Sequence, residues 1–307
     1  FLLGVTVNYI TRNSLGIIAP ELKATLGITT EQYSWIVGAF QLAYTIFQPL
    51  CGWLIDVIGL KLGFMICATL WALACIAHAG AGSWLHLAIL RFFMGGAEAA
   101  ATPANAKTIG EWFPKSERPI AAGWAGVGFS IGAMLAPPII YFAHASFGWQ
   151  GAFMFTGALA LLWVVLWWAF YQNPEKHPNL SKSELEYIKQ DNEAPPVKQP
   201  FFTALKTVSK NKRFYGIAIP AFMAEPAWAV LSFWVPLYLA KEHGMDLKQI
   251  AMFAWLPFLA ADLGSVVSGY LTRLYVRWFG CTRVNSVIAS SVTGAFLMIS
   301  LALVAIT

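Results

Sequence analysis

The sequence predicts an all-helical membrane protein, and three observations carry that prediction. Hydrophobic residues make up 58% of the 307 residues and charged residues only 11%, whereas a soluble domain is usually about a quarter charged. The mean hydropathy is +0.61. The apolar residues are collected into segments of about the 20 residues that a helix needs to cross a bilayer. So few charges cannot cover the surface of a soluble protein of this length.

Nine apolar segments are separated by short connections and by one long polar stretch. We expect a six-helix N-terminal half at residues 1–170 with an incomplete first helix, a linker at 171–213 and spans seven to nine of a second half at 214–307. Within the linker, Ser181 and Glu184 have the spacing of a capping box that opens a short amphipathic helix. The segments are Phe1–Ala19, Tyr33–Ile55, Leu62–Ala81, Leu85–Ile109, Ile120–Phe142, Trp149–Phe170, Phe214–Ala240, Ile250–Leu271 and Val284–Thr307.

Basic residues predict the orientation of these segments. Fourteen Lys and Arg residues lie in the linker and in the loops after spans two, four and eight, whereas the opposite loops hold only Lys23, Lys241 and Lys248. Because loops rich in Lys and Arg stay in the cytoplasm, the linker is expected there. The net charge of +5 is explained by these loops, and no nucleic-acid partner is expected.

Polar residues inside the apolar segments follow helical spacing. A charged side chain at the centre of a span costs about 2.5–3.5 kcal/mol on insertion scales, so it indicates a functional site. Residues three, four or seven positions apart share a helix face, and lipid cannot satisfy them, so these stripes predict a hydrated central cavity. The stripes are Asn8, Tyr9 and Arg12 in span one; Gln41, Tyr44 and Gln48 in span two; Arg91, Glu98, Thr102 and Asn105 in span four; Glu225, Trp228 and Ser232 in span seven; and Trp255 and Asp262 in span eight.

Arg12 and Glu98 are the residues for which packing is the poorest explanation. Arg12 keeps its charge, so either Glu98 or an anionic substrate must meet it. For Arg91 and Glu225 two interpretations stay open: each either takes part in the site or satisfies backbone groups. Asp262 is more typical of a structural role.

Other features of the spans carry smaller expectations. Gly95 is expected to let a neighbouring helix approach, and Pro220 and Pro226 are expected to interrupt span seven. The stripe of Trp163, Trp167 and Trp168 is expected to lie at a membrane interface or to face lipid.

Three segments resemble motifs of the major facilitator superfamily. Gly52–Lys61, with Asp56 at its acidic position, resembles the cytoplasmic loop motif of that family. Arg91–Ala99 looks like its fourth-helix motif, and Gly126–Gly132 with Pro137–Pro138 resembles its gating helix. The resemblance implies the major facilitator fold, with nine of an expected twelve transmembrane helices present.

A narrower resemblance is to the anion:cation symporter family. It rests on Tyr9–Asn13, on Glu98 and on Glu111–Arg118, while Ala224–Trp228 and Ile250–Gly264 closely resemble the bacterial hexuronate transporters. This resemblance implies proton-coupled uptake of a hexuronate such as galacturonate or glucuronate across the bacterial inner membrane. A monomer is expected, and the oligomeric state stays open. Which sugar acid is carried stays open.

The same resemblance implies roles for individual residues. Arg12 would bind the substrate carboxylate, Glu98 would carry the proton, and Tyr9 and Tyr44 match tyrosines that contact sugar. Many relatives have Asp immediately before the first-helix arginine, where this chain has Thr11, so the proton stoichiometry stays open. Gln48 and Trp228 are expected to contact ring hydroxyls, and gating or structural roles are expected for Asp56, Arg91, Asn105, Glu225 and Asp262.

Other functions are kept as alternatives. A symporter for another organic anion, such as an aldonate, an aldarate or an aromatic acid, would need the same charges. A membrane sensor that transports nothing has no need of charges at cavity depth. An enzyme is not expected, because the sequence shows no Ser/His/Asp set and no phosphate loop. Neither a metal nor a cofactor is expected, because Cys and His lack ligand spacing.

Overall fold

The computed structural model describes residues 1–191, 199–280 and 282–304, and every regular element in these residues is a helix. The chain divides into two compact units, Phe1–Trp255 and Leu256–Thr307. The α-helices are α1 (Leu2–Leu26), α2 (Thr30–Ile58), α3 (Leu60–Ala77), α4 (Trp84–Glu98), α5 (Ala101–Trp112), α6 (Arg118–Phe170), α7 (Lys182–Ile188), α8 (Phe201–Ser209), α9 (Lys212–Ala229), α10 (Val235–His243), α11 (Leu247–Phe253), α12 (Leu256–Phe279) and α13 (Arg283–Val304).

Several helices have the length and composition of membrane spans. Among the described residues, four helical stretches are long and apolar enough to cross a membrane: Leu60–Gly80, Ile120–Phe170, Lys212–His243 and Leu247–Phe279. The second stretch joins predicted spans five and six across a kink at Gly148, whose φ is 68°. In addition, α1 and α2 are 25 and 29 residues long. The total of nine spans stays a prediction.

Span four has a local interruption of its helical hydrogen bonds where the sequence predicted a continuous helix, although Ala99 and Ala100 keep right-handed helical φ and ψ. It forms α4 and α5, with a turn at Ala99 and Ala100 between them. Pro103 explains the interruption, because it has no N–H to donate to the carbonyl of Ala99 four residues earlier. The polar stripe that runs through Glu98 and Asn105 is therefore carried by two helices.

Span seven is broken at a different place from the predicted one. Pro220 and Pro226 lie inside α9, so the expectation that they interrupt the helix is wrong. The α-helical hydrogen-bond pattern changes instead to one turn of π-helix at Val230–Trp234. Pro236 follows this turn and cannot donate to the carbonyl of Ser232, which favours a local rearrangement there.

Small and aromatic residues bring the helices of the first unit together. A Cβ atom at Gly95 would lie 2.5 Å from the backbone oxygen of Phe40, so only glycine permits this approach of α4 to α2. Trp163 and Trp167 are each 4% exposed and pack against Phe64 of α3. These two residues therefore do not face lipid, and a position at the level of the membrane interface stays a prediction for them. Trp168 is 62% exposed.

Candidate functional site

The candidate site is built on α1, which is enclosed by other helices. Every residue from Gly4 to Ala19 is buried except Tyr9, which is half-buried. Helix α1 packs mainly against α6 and also contacts α10. The polar side chains of this helix are shielded from solvent and need partners inside the bundle. Among the described residues, no hydrogen-bond partner is seen for the side-chain amide of Asn8.

Arg12 and Glu98 form an ion pair inside this bundle. The distance between Arg12 Nε and Glu98 Oε2 is 3.0 Å, and the two side chains are 8% and 0% exposed. Two such charges are costly to bury singly, and removing one partner leaves the other uncompensated. The structure thus brings together the two residues that the sequence selected as opposite charges at cavity depth.

Aromatic rings surround the guanidinium of Arg12. Its central carbon lies 4.9 Å from the ring centroid of Tyr9, 5.3 Å from that of Phe40 and 4.6 Å from that of Tyr44. These distances are within the range of cation–π attraction, about 6 Å from the ring centroid. Tyr9 and Tyr44 were predicted at the site, but Phe40 was not.

The second oxygen of Glu98 faces α1 as well. Glu98 Oε1 lies 3.2 Å from Thr11 Oγ1, and the same hydroxyl lies 2.8 Å from the backbone oxygen of Asn8. Both carboxylate oxygens therefore contact consecutive residues of α1. The carboxylate cannot leave this position without giving up both contacts.

Arg91 lies next to Arg12 and is fully buried. Its Nη2 donates to the backbone oxygen of Arg12 at 3.1 Å, and its central carbon lies 4.9 Å from the ring of Phe40 and 5.5 Å from that of Phe233. The pairing with a backbone carbonyl is what the structural interpretation of Arg91 requires.

Trp228 and Gln48, which were also predicted at the site, lie near its two tyrosines. The ring centroid of Trp228 lies 6.3 Å from that of Tyr9, and the hydroxyl of Tyr44 lies 2.9 Å from Thr102 Oγ1. Gln48 is half-buried on α2, one turn beyond Tyr44. Tyr9, Arg12, Tyr44, Glu98 and Trp228 thus form one contiguous group contributed by α1, α2, α4 and α9.

Two predicted residues of the first unit have other surroundings. Asn105 lines a separate cavity of about 720 Å³ with Trp112 and Trp124. Glu225 is exposed on α9, near enough to Tyr9 for its charge to act on that side chain. Asp262 belongs to the second unit.

Asp56 is paired with a lysine that sequence reasoning did not select. Lys107 Nζ lies 2.7 Å from Asp56 Oδ1 and 3.2 Å from the backbone oxygen of Ile55. The expectation was a contact with a helix end or a nearby arginine. Lys107 extends from α5 to the C-terminal turn of α2. The dipole of α2 favours a cation at this end.

The linker is held against the N-terminal helices by hydroxyl–carboxylate contacts. Tyr187 donates to Glu117 at 2.7 Å, and this contact raises the pKa of the Tyr187 hydroxyl above its usual value. Tyr171 donates to Glu111 at 3.2 Å, and burial raises the pKa of the Glu111 carboxyl. The predicted capping box is present, with Ser181 accepting from the backbone N–H of Glu184.

The end of the first unit that holds the C-terminus of α1 is closed by the π-helical turn. Tyr33 donates to the backbone oxygen of Phe233 at 2.8 Å, and its ring centroid lies 5.4 Å from that of Trp234. A Cβ atom at Gly16 would lie 2.3 Å from the backbone oxygen of Ser232. The backbones of α1 and of the broken span therefore touch directly at this end.

Several known proteins are similar in sequence to this chain. It is 45% identical over 301 residues to the hexuronate transporter of Escherichia coli (strain K12), covering 97% of this chain and 69% of that protein. It is 44% identical over 305 residues to the galacturonate transporter of Dickeya chrysanthemi, covering 97% of this chain and 86% of the relative.

A solved structure has a similar fold. It is that of a bacterial homolog to the human lysosomal transporter Spinster, in an inward-facing and unoccupied conformation. The TM-score is 0.67 at 20% identity, over 90% of this chain and 62% of the solved chain. The family profile of the Major Facilitator Superfamily matches residues 1–307. The chain therefore belongs to the Major Facilitator Superfamily, a family of membrane transporters and not of enzymes.

Proposed function

We propose that this protein is a proton-coupled symporter that takes up hexuronates, such as galacturonate or glucuronate, across a bacterial inner membrane. The observation that carries the proposal is the buried pair of Arg12 and Glu98, with the two tyrosines against the arginine. A transporter of an anion needs a cation at the substrate site, and a coupled transporter needs a group that exchanges a proton. The pair contains one of each.

The proposed cycle begins with the site open to the outside and with Glu98 ionised and paired with Arg12 through the contact seen here. A hydronium ion delivers a proton to Glu98 and leaves as water. The neutral acid holds Arg12 less strongly, so the planar guanidinium can bind the substrate carboxylate with two parallel hydrogen bonds. The ring hydroxyls of the substrate would be contacted by side chains of α1, α2 and α9, namely Tyr9, Tyr44, Gln48 and Trp228.

Net charge explains why binding and protonation go together. Arg12 with an ionised Glu98 is neutral, and Arg12 with a protonated Glu98 and a bound carboxylate is neutral too. Uncompensated charge inside a bundle is costly. Entry of the proton and the anion together therefore leaves the net buried charge of the site unchanged, and this favours symport.

Alternating access would move two halves around this site. In the proposed arrangement, residues 1–170 form one half, 171–213 the cytoplasmic linker and 214–307 part of the other half, with nine spans in the chain and a monomer as the working unit. Asp56, Arg91, Asn105, Glu225 and Asp262 would serve in gating or in support of the helices. The contacts of Tyr33 and Gly16 with the π-helical turn would then close the outer end.

The experiment is uptake by the complete protein in liposomes with a more acidic exterior. Labelled galacturonate or glucuronate should accumulate inside, and a protonophore should abolish the accumulation. Galactose, which differs from galacturonate by lacking the carboxylate, is the matched control and should not accumulate. Preferred accumulation of an aldonate or an aromatic acid would support the alternative anion symporter, and uptake of none of them would support a sensor.

A further inference from the structure

The Thr11 hydroxyl has one hydrogen to donate, and two acceptor oxygen atoms of other residues lie close to it. Its Oγ1 lies 2.8 Å from the backbone oxygen of Asn8 and 3.2 Å from Glu98 Oε1. A hydroxyl donates one hydrogen bond and accepts up to two. The hydrogen therefore cannot serve both oxygens fully, and which of them receives it depends on whether Glu98 can donate.

The two protonation states of Glu98 give two hydrogen-bond patterns. When Glu98 is ionised, neither of its oxygens carries hydrogen, so Thr11 must donate to Oε1 and release Asn8. When Glu98 carries a proton on Oε1, that O–H donates to Thr11, and the Thr11 hydrogen returns to the Asn8 carbonyl. In both states every hydrogen has an acceptor, and only the Thr11 hydroxyl rotates.

The other oxygen of Glu98 cannot hold a proton in the same way. Glu98 Oε2 faces Arg12 Nε at 3.0 Å, and a guanidinium N–H donates but cannot accept. A proton on Oε2 would point at a donor, whereas a proton on Oε1 points at a hydroxyl that accepts it. The geometry thus distinguishes the two oxygens.

We propose that Thr11 is a positioning residue that holds the transported proton on Glu98 Oε1, so that Oε2 stays turned to Arg12. This inference rests on the proposed function, because it assigns an atom to the proton that Glu98 is proposed to carry. A hydronium ion gives the proton to Oε1 and leaves as water, and the reverse transfer to water releases it. The Thr11 oxygen keeps its own hydrogen throughout.

Other charged and titratable groups lie near Glu98 or near its two arginines and stay constant in the test. Helix α1 contributes Arg12 and Tyr9, helix α2 contributes Tyr44 against Arg12, and helix α3 contributes Cys75. His78, just after α3, lies near Arg91. Helix α4 itself contributes Arg91. The variants below alter none of these groups, so a change in pH dependence is due to the Thr11 hydroxyl.

The test compares Thr11→Val, which keeps the branched shape but has no hydroxyl, with Thr11→Ser, which keeps the hydroxyl. The first readout is the carboxylic-acid C=O band of Glu98 in infrared difference spectra on acidification of the complete protein, assigned by its loss in Glu98→Gln. Without Thr11 as acceptor, the Glu98 O–H bond is free and the band should move to higher frequency. Thr11→Ser should keep the wild-type band.

The second readout is the pH profile of uptake in liposomes. A hydrogen bond to a charged group is stronger than one between neutral groups, so the Thr11→Val change costs the ionised state more. The midpoint of the profile should therefore move to higher pH, by about half a unit or more, and Thr11→Ser should restore it. Thr6→Val is the matched control, because the Thr6 hydroxyl on the same helix faces the backbone of Gly128 and not Glu98.

Each outcome decides between the proposals. A Thr11→Val band and midpoint equal to the wild type would overturn the role of Thr11. A shift that Thr6→Val reproduces would also overturn it, because the effect would then follow from a change in α1 packing. If Glu98→Gln keeps the band and still accumulates substrate, the proposed function fails at Glu98 whatever Thr11 does, and the inference falls with it. A band shift confined to Thr11→Val supports the proposal.

Discussion

Arg91 donates through Nη2 to the backbone carbonyl of Arg12 at 3.1 Å, and both guanidinium groups contact the ring of Phe40. The two arginines are therefore supported by the same part of α1 and α2, but only Arg12 has a carboxylate within ion-pair distance in the described residues. This difference supports the proposal that Arg12 makes the exchangeable anion contact and that Arg91 makes a supporting one.

The first prediction concerns Arg12→Lys. Lysine keeps the positive charge but cannot form two parallel hydrogen bonds with a carboxylate. We expect the affinity for the sugar acid to fall at least tenfold, which corresponds to about 1.4 kcal/mol, while expression and thermal stability change little. Equilibrium binding to the purified variant measures this. Wild-type affinity in Arg12→Lys would remove Arg12 from the substrate site.

The second prediction concerns the pair of Asp56 and Lys107. Their side chains are 58% and 18% exposed, so the pair is partly screened and should contribute at most about 1 kcal/mol. Asp56→Asn and Lys107→Gln should each lower the midpoint of thermal unfolding slightly. The double variant should lose less than the sum of the two. Strict additivity would show that the contact does not couple the two residues.

The third prediction concerns the closed end. Tyr33→Phe removes the hydrogen bond to Phe233, which is worth about 0.5–1.5 kcal/mol. The population closed at this end should fall by about two- to tenfold. Spin labels at Ala24 and Lys241, both exposed at this end, should report more long distances. Tyr215→Phe, which removes a hydroxyl that donates to Ser209, is the matched control and should leave the distances unchanged.

The fourth prediction concerns orientation. The linker carries most of the basic residues and is predicted in the cytoplasm. Ser183 is exposed on α7, so a cysteine at this position should be protected from an impermeant thiol reagent in intact cells and react after lysis. A cysteine at exposed Lys241, in the opposite set of loops, should react in intact cells. The reverse pattern would contradict the proposed topology.

The sequence predicted the charged part of the site better than its apolar part. Arg12, Tyr44 and Glu98 could be selected because a polar residue in an apolar span must face the bundle, and helical spacing then fixes its face. Phe40 and Phe233 could not be selected, because an aromatic residue in an apolar span gives no signal of its direction. Lys107 was overlooked because it lies near a span end, where a lysine can also reach water.

The breaks in the helices were the other part that the sequence did not predict correctly. A proline marks a lost hydrogen bond but does not say whether the helix bends there. Pro220 and Pro226 remain inside α9, whereas Pro103 follows a local interruption of the hydrogen-bond pattern at Ala99 and Ala100 and Pro236 follows the π-helical turn. In the π-helical turn the backbone oxygen of Ser232, which Pro236 leaves without a helical donor, packs against Gly16 of α1. The position of the π-helical turn therefore depends on packing against a neighbouring helix, which the local sequence does not show.

The last prediction concerns Glu98→Gln and separates a symporter from a uniporter. Gln has the shape of the protonated acid and can accept from Arg12, but it cannot release a proton. Because Gln keeps the size of Glu98 and can still contact Thr11 and Arg12, the fold should be kept, with a loss of stability because Arg12 loses its counter-charge. We expect Glu98→Gln to bind the sugar acid and to exchange labelled for unlabelled substrate, since exchange needs no net proton movement.

The same variant should fail wherever proton movement is required. It should not concentrate substrate when a pH gradient is applied, and its binding should depend less on pH than that of the wild type. Glu31→Gln is the matched control, because it makes the same chemical change at an exposed position of α2 and should keep accumulation. Accumulation against a gradient by Glu98→Gln would mean that the proton travels elsewhere, and Glu225 or Asp262 would then be the next carboxylate to test.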